Sequence, residues 1–293
     1  RKMAHTLRGM EGVEPYAVAS RNQENAEGFA CEWGFTRAYG SYEDLADDPE
    51  VQLIYIATPH SHHFEQARMC LEKGKPVLCE KAFTANAEQA ETLIRLSKEK
   101  QVFLTEAIWT RYMPFSETLR ELVDGGTIGR VMMLTANIGY PIAEKERIAK
   151  PELCGGALLD IGVYPINFAR MLFGSEITGI TFVYRNHRMA VLQMTAFCAN
   201  DRQGVISGDK GYIIVDNINN PQLAVVYSVN HEEVARYTCP PQITGFEYQV
   251  QASIDAIREG KIETPCMPHA ETLHIMQMLD DLRSEWGVRY PMD

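Results

Sequence analysis

Short apolar runs alternate with amphipathic stretches throughout the N-terminal third of the chain, and that rhythm leaves few folds open. Tyr16-Ala-Val-Ala-Ser20 reads as a strand. A helix follows over 25–33, with Gly34 placed to end it, and then a short acidic helix capped by Ser41. Val51 to Ala57 is a nearly continuous apolar run, the mark of a strand buried on both faces of a parallel sheet. A helix over 62–73 closed by Gly74, a strand over 76–79, a helix over 87–100 and a strand over 102–105 complete the series. Strands and helices alternating at this spacing predict a doubly wound parallel sheet. Ligands of such sheets bind beyond the carboxyl ends of the strands. The polar residues there are Ser20-Arg21, Thr58-Pro59-His60, Glu80-Lys81 and Glu106.

The first element is unusual, because Met3, Ala4, Leu7 and Met10 carry helical spacing where a parallel domain normally opens with a strand. None of the 21 glycines is separated from another by one residue, so there is no G-x-G-x-x-G. Such a loop presents backbone N–H groups and a helix N-terminus to a dinucleotide pyrophosphate. Two readings are open. Either the sheet binds no dinucleotide, or the chain as given lacks a first strand and its glycine loop.

Beyond residue 107 the rhythm changes. Helices are expected over 117–124 and 157–173. Strands are expected over 130–140, 180–184, 190–197, 204–207, 212–215 and 223–229, and two further helices over 246–259 and 270–286. Two domains follow: residues 1–107, a parallel α/β domain, and residues 108–293, an α+β domain with a mostly antiparallel open sheet. The balance of 28 basic against 39 acidic residues, a net charge of −11, disfavours a nucleic-acid binder. No apolar run is long enough to span a bilayer, and no apolar stretch follows the basic start as in a signal peptide. Seven scattered cysteines without a C-x-x-C suit reduced thiols, so a cytoplasmic location is expected.

Three segments carry a resemblance. Ile56-Ala-Thr-Pro-His-Ser-His-His63 is similar to a post-strand A-T-P-x-x-x-H motif. Cys79-Glu-Lys-Ala-Phe83 is similar to an E-K-P signature, and Glu106-Ala-Ile-Trp-Thr-Arg111 follows it. Gly155-Gly-Ala-Leu-Leu-Asp-Ile-Gly-Val-Tyr164 is similar to G-G-x-L-L-D-x-G-x-Y. In this order the chain resembles the Gfo/Idh/MocA oxidoreductases, within the branch of dihydrodiol and NADP-linked D-xylose dehydrogenases. The resemblance implies a Rossmann-like domain that binds NAD or NADP and an α+β domain that binds a sugar or diol. It favours the second reading of the missing glycine loop, and it implies a homodimer or higher homo-oligomer formed through the open sheet face.

By the same resemblance, Lys81 and Tyr164 are the catalytic pair, with Asp160 beside them. Oxidising a secondary alcohol needs a hydride acceptor and a proton acceptor, and a tyrosine, with a free pKa of about 10, becomes a better base beside an ammonium. Asp160 precedes Tyr164 by four residues, which on a regular helix puts both on one face. Ser20, Arg21, Thr58, Pro59, His60, His63, Glu80 and Lys81 are implied at the cofactor, and Trp109, Asp160 and Phe246 at the substrate. Trp109, Phe246, Tyr164 and Lys81 also admit plain packing or surface roles, and Arg111 an ion pair. His60, His62 and His63 form H-x-H-H on a post-strand loop, but no matching carboxylates or cysteines make it a metal site.

Ser20-Arg21, a hydroxyl and a cation where NAD enzymes place an acidic residue, favours NADP, although an ordinary turn would look the same. Two alternatives stay open. One is an NAD-linked inositol or amino-sugar dehydrogenase, against which the tyrosine at 164 counts because histidine is usual there. The other is a non-catalytic sugar or nucleotide sensor, for which the missing glycines speak and against which the retention of Lys81, Asp160 and Tyr164 speaks. Two departures stand out. Ala82 replaces the usual proline, and the link from Ile180 to Ala190 is short, which implies a sheet one strand smaller.

Overall fold

A computed structural model describes residues 1–174 and 188–293. The strand expected over 180–184, and the link that follows it, lie outside the described residues. The described chain forms two compact units. The first comprises Arg1–Trp109, Gln242–Asp280 and Met292–Asp293, and the second Thr110–Pro241 and Asp281–Pro291. The expected break near residue 107 lies close to the first boundary, but the chain returns to the first unit at Gln242. Two continuous domains therefore do not describe it.

In the first unit the elements are α1 (Lys2–Gly9), β1 (Ala17–Ala19), α2 (Gln23–Trp33), β2 (Arg37–Tyr39), α3 (Tyr42–Asp47), β3 (Ile54–Ile56), α4 (His60–Glu72), β4 (Val77–Glu80), α5 (Ala87–Lys100) and β5 (Leu104–Ala107). Their ends follow from local chemistry. Side chains of Asn22, Ser41 and Asn86 accept from the backbone N–H groups of Asn25, Asp44 and Gln89 and so start α2, α3 and α5. Gly34, at φ 77°, ends α2 in the left-handed conformation. β1 pairs in parallel with β2, while β3, β4 and β5 form a separate parallel ladder in that order. Met3 of α1 packs with Leu78, Ala107 and Val250, so α1 lies against the three-stranded sheet together with α9 (Glu247–Arg258).

The second unit holds α6 (Pro114–Asp124), β6 (Val131–Gly139), α7 (Glu146–Ala149), α8 (Val163–Phe173), β7 (Met189–Thr195), β8 (Gly204–Gly208), β9 (Gly211–Val215), β10 (Leu223–Ser228) and β11 (Glu233–Thr238). The last helix, α10 (His269–Trp286), is shared between the units. The sheet order is β11-β10-β9-β8-β6-β7, antiparallel throughout except for the parallel β6–β7 pair. One face carries the core: Leu134, Ala136, Ile206 and Ile213 pack with Phe115, Leu119 and Phe168 of α6 and α8. The single helix expected over 157–173 is instead a π-turn over Leu158–Gly162 that runs into α8. No described helix is long and apolar enough to cross a membrane.

Candidate active site

The carboxyl ends of β1, β3 and β4 each deliver residues that the sequence singles out. After β1, the Ser20 hydroxyl accepts from the Asn22 N–H at 3.4 Å, and Arg21 is exposed. After β3, Thr58 donates its hydroxyl to Gln66 Oε1 at 2.8 Å, and Pro59 stands at the N-cap of α4. His60, His62 and His63 are therefore in the first turn of a helix, which starts two residues earlier than the expected 62–73 and takes in His60 as well. A proline in extended geometry before a run that can continue as a helix explains the difference. His60 is buried and meets His63 edge to face, ring centroids 5.7 Å apart. After β4, Tyr55 donates its hydroxyl to Glu80, whose other oxygen accepts from the Lys81 backbone N–H at 3.3 Å. Lys81 is half-buried, and its peptide bond to Ala82 is cis.

His63 departs from the groove-lining position expected of it. The ring is fully buried, with Nε2 2.9 Å from the Thr58 carbonyl oxygen and Nδ1 3.0 Å from that of Ala82. Both ring nitrogens face main chain, which leaves neither for a ligand. Burial pushes the imidazole below its ordinary value, against the raising effect of the Thr58 and Ala82 carbonyls.

Trp109 and Phe246 are brought together, at 5.0 Å between centroids and 58° between planes, a contact that plain packing would also give. Neither presents a bare face in this arrangement. The Lys2 ammonium lies 3.9 Å from the Trp109 ring centroid and 4.2 Å from that of Phe246. Gly245, at φ 90°, passes so close that a Cβ there would stand 2.4 Å from the indole. Burial lowers the Lys2 pKa, and the charges of Glu80 and Glu247 oppose that. Glu247 itself accepts from the N–H groups of Ile243, Thr244 and Gly245 and so shapes the turn ahead of α9. Sequence reading took Lys2 only as part of a basic start.

In the second unit Asp160 is buried in the π-turn and receives Arg147 as a fork, Nε to Oδ1 and Nη2 to Oδ2, each at 3.2 Å. Arg147 had no motif to announce it. The glycine pair shows how it gets there, because a Cβ on Gly155 would lie 2.5 Å from the Ile148 carbonyl oxygen and 2.7 Å from that of Lys150. Glycine at 155 lets the segment that carries Arg147 close over the turn. Glycine at 162 leaves room for Met194 of β7, whose Sδ lies only 2.3 Å from where a Cβ would stand. The π-turn interrupts the helical step between Asp160 and Tyr164, so simple i, i+4 spacing does not describe them. Tyr164 is half-buried, flanked by buried residues from Leu158 to Val163 and from Pro165 to Arg170. Arg111 bonds Asn167 Oδ1 at 3.0 Å, and Glu106 is buried on β5.

A phosphorylated dinucleotide needs cations and reachable main chain at the carboxyl ends of parallel strands. Exposed Arg21 and half-buried Lys81 meet that need, while the backbone cradle of a G-x-G-x-x-G loop is not among the 293 residues. The fit therefore rests on the post-strand loops.

Comparison with known proteins identifies the family and the fold. Residues 1–108 match the description "Oxidoreductase family, NAD-binding Rossmann fold" of the GFO/IDH/MocA group, and residues 116–190 match its C-terminal domain. The chain is 34% identical to trans-1,2-dihydrobenzene-1,2-diol dehydrogenase of Xenopus tropicalis, over 94% of this chain and 90% of that protein. It is 31% identical to D-xylose 1-dehydrogenase (NADP(+)) of Hypocrea jecorina, over 97% and 87%. A 3-ketoreductase from Actinomadura kijaniata, solved with NADP and TDP-benzene, shares the fold at a TM-score of 0.87 and 23% identity, over 97% of this chain and 93% of that one.

Proposed function

Since the chain belongs to the Gfo/Idh/MocA oxidoreductase family, we propose that it moves a hydride between NADP and a secondary alcohol of a sugar or cyclic trans-diol. NADP+, when bound, would supply the hydride acceptor for alcohol oxidation, and NADPH the donor for the reverse reaction. Oxidation of a secondary alcohol to its ketone also releases one proton from the hydroxyl, and a residue of the chain must take it.

Tyr164 takes that proton at Oη and returns it in reduction. The observation that carries this assignment is that Tyr164 is the half-open side chain in a run of buried residues that also holds the Asp160–Arg147 fork. Lys81 contributes a cation and a donor for the nicotinamide ribose, as the family resemblance implies. Ser20 and Arg21 receive the 2′-phosphate, and the loop of Thr58, Pro59 and His60 with Glu80 frames the rest of the cofactor. Trp109 and Phe246 back the substrate site from behind the Lys2 ammonium that lies over both rings. Asp160 serves substrate hydroxyls together with Arg147.

The reading includes a homodimer joined through the open face of the second unit's sheet, supported by exposed Met133 on β6 and Val234 on β11, and a cytoplasmic location. The catalytic reading is tested by following NADPH absorbance with a panel of aldoses and trans-diols, offered NADP and NAD in parallel. Turnover that is faster with NADP supports it. No reduction of either nucleotide, although both bind, would leave the sensor reading in its place.

A further inference from the structure

The two ring nitrogens of His63 reach main-chain carbonyls in two different loops. Thr58 follows β3, and Ala82 follows Lys81 at the end of β4. Of the buried polar side chains in α4, His63 is thus placed to tie together the segments that carry Thr58, Pro59 and Lys81. The same helix holds the first loop a second time, through Gln66 and the Thr58 hydroxyl. A neutral imidazole has one N–H and one lone pair, so it donates to only one of these carbonyls at a time, whereas the imidazolium donates to both. Burial disfavours that charge, and so does the Lys81 ammonium, which is near enough to act on the ring.

We propose that His63 is a positioning residue for Lys81, a buried bracket between the post-β3 and post-β4 loops that fixes the main chain from which Lys81 projects. The consequence for the reaction rests on the role given to Lys81 above; the bracket itself does not.

The test replaces His63 with Leu and with Asn in the full chain and measures competitive acylation of lysines by acetic anhydride, read by mass spectrometry, alongside melting temperature and NADPH affinity. The ratio of Lys81 to Lys210 labelling, with exposed Lys210 as internal reference, is expected to change about threefold or more, and NADPH binding to weaken about tenfold. A lower melting temperature with both quantities unchanged would mean that His63 only packs, and would overturn the proposal. If neither variant folds, the milder His63→Gln decides by the same two readouts, and an unchanged labelling ratio with unchanged NADPH affinity would overturn the proposal equally. Failure of the native chain to oxidise any polyol would sink the catalytic reading and leave the labelling result standing.

Discussion

Arg147 and Asp160 form a two-bond fork in which the guanidinium is 44% exposed and the carboxylate 8%. The asymmetry makes Arg147 the expendable partner and Asp160 the costly one to strand. Arg147→Met takes this cation away from a buried carboxylate and is expected to lower stability by about 2 kcal/mol. Asp160→Asn in the same chain should recover most of that loss, since the amide carries no charge to desolvate. Urea unfolding of the two single variants and the double variant measures the coupling, and additive losses would show that the fork contributes nothing.

Lys2 lies over Trp109 and Phe246, and this contact has its own test. Lys2→Met keeps the length of the side chain and removes the charge. The expected cost is about 1 kcal/mol or less, because the ammonium is only partly withdrawn from water. Tryptophan emission should change as the cation leaves the indole face. Under the proposed function, KM for a cyclic diol should fall relative to that for an aldose, because the aromatic pair becomes apolar. Emission identical to that of the parent would show that the contact is not formed in solution.

Acid is expected to weaken the first unit through two histidines. Burial holds both His63 and His269 below the ordinary value of 6.5, and the His269 ring lies 2.8 Å from the Leu104 carbonyl oxygen. The unfolded chain therefore binds these protons first as pH falls. The stability due to the neutral rings is fully present above about pH 6.5 and is lost progressively below it. Urea midpoints at neutral and mildly acid pH should show the decline, and His269→Gln should flatten it. A decline just as steep in that variant would exclude His269.

Much of this architecture can be read from local pattern, and the limits are physical. The apolar period and the caps at Asn22, Ser41, Asn86 and Gly34 mark most elements of the first unit, because a helix end depends on neighbours in the chain. β11 escaped notice because it is an edge strand whose core-facing residues, Ala235 and Tyr237, are only partly buried while apolar Val234 sits on the open face, so Glu233 to Thr238 shows no clean apolar alternation. The return of 242–280 to the first unit is a contact between distant residues that no period encodes. The same holds for Lys2 with Trp109 and for Arg147 with Asp160. Histidines in a post-strand motif suggested a cofactor groove for His63, but the position of its acceptors depends on how two loops converge.

The most direct measurement is turnover and cofactor binding of Tyr164→Phe beside the parent, with NADP and whichever aldose or diol the parent oxidises fastest. Loss of the phenolic oxygen should reduce kcat by about a hundredfold or more while the NADPH dissociation constant stays within about twofold. A variant that retains parental turnover would contradict the assignment of the proton to Tyr164, and with it the central reading of the site.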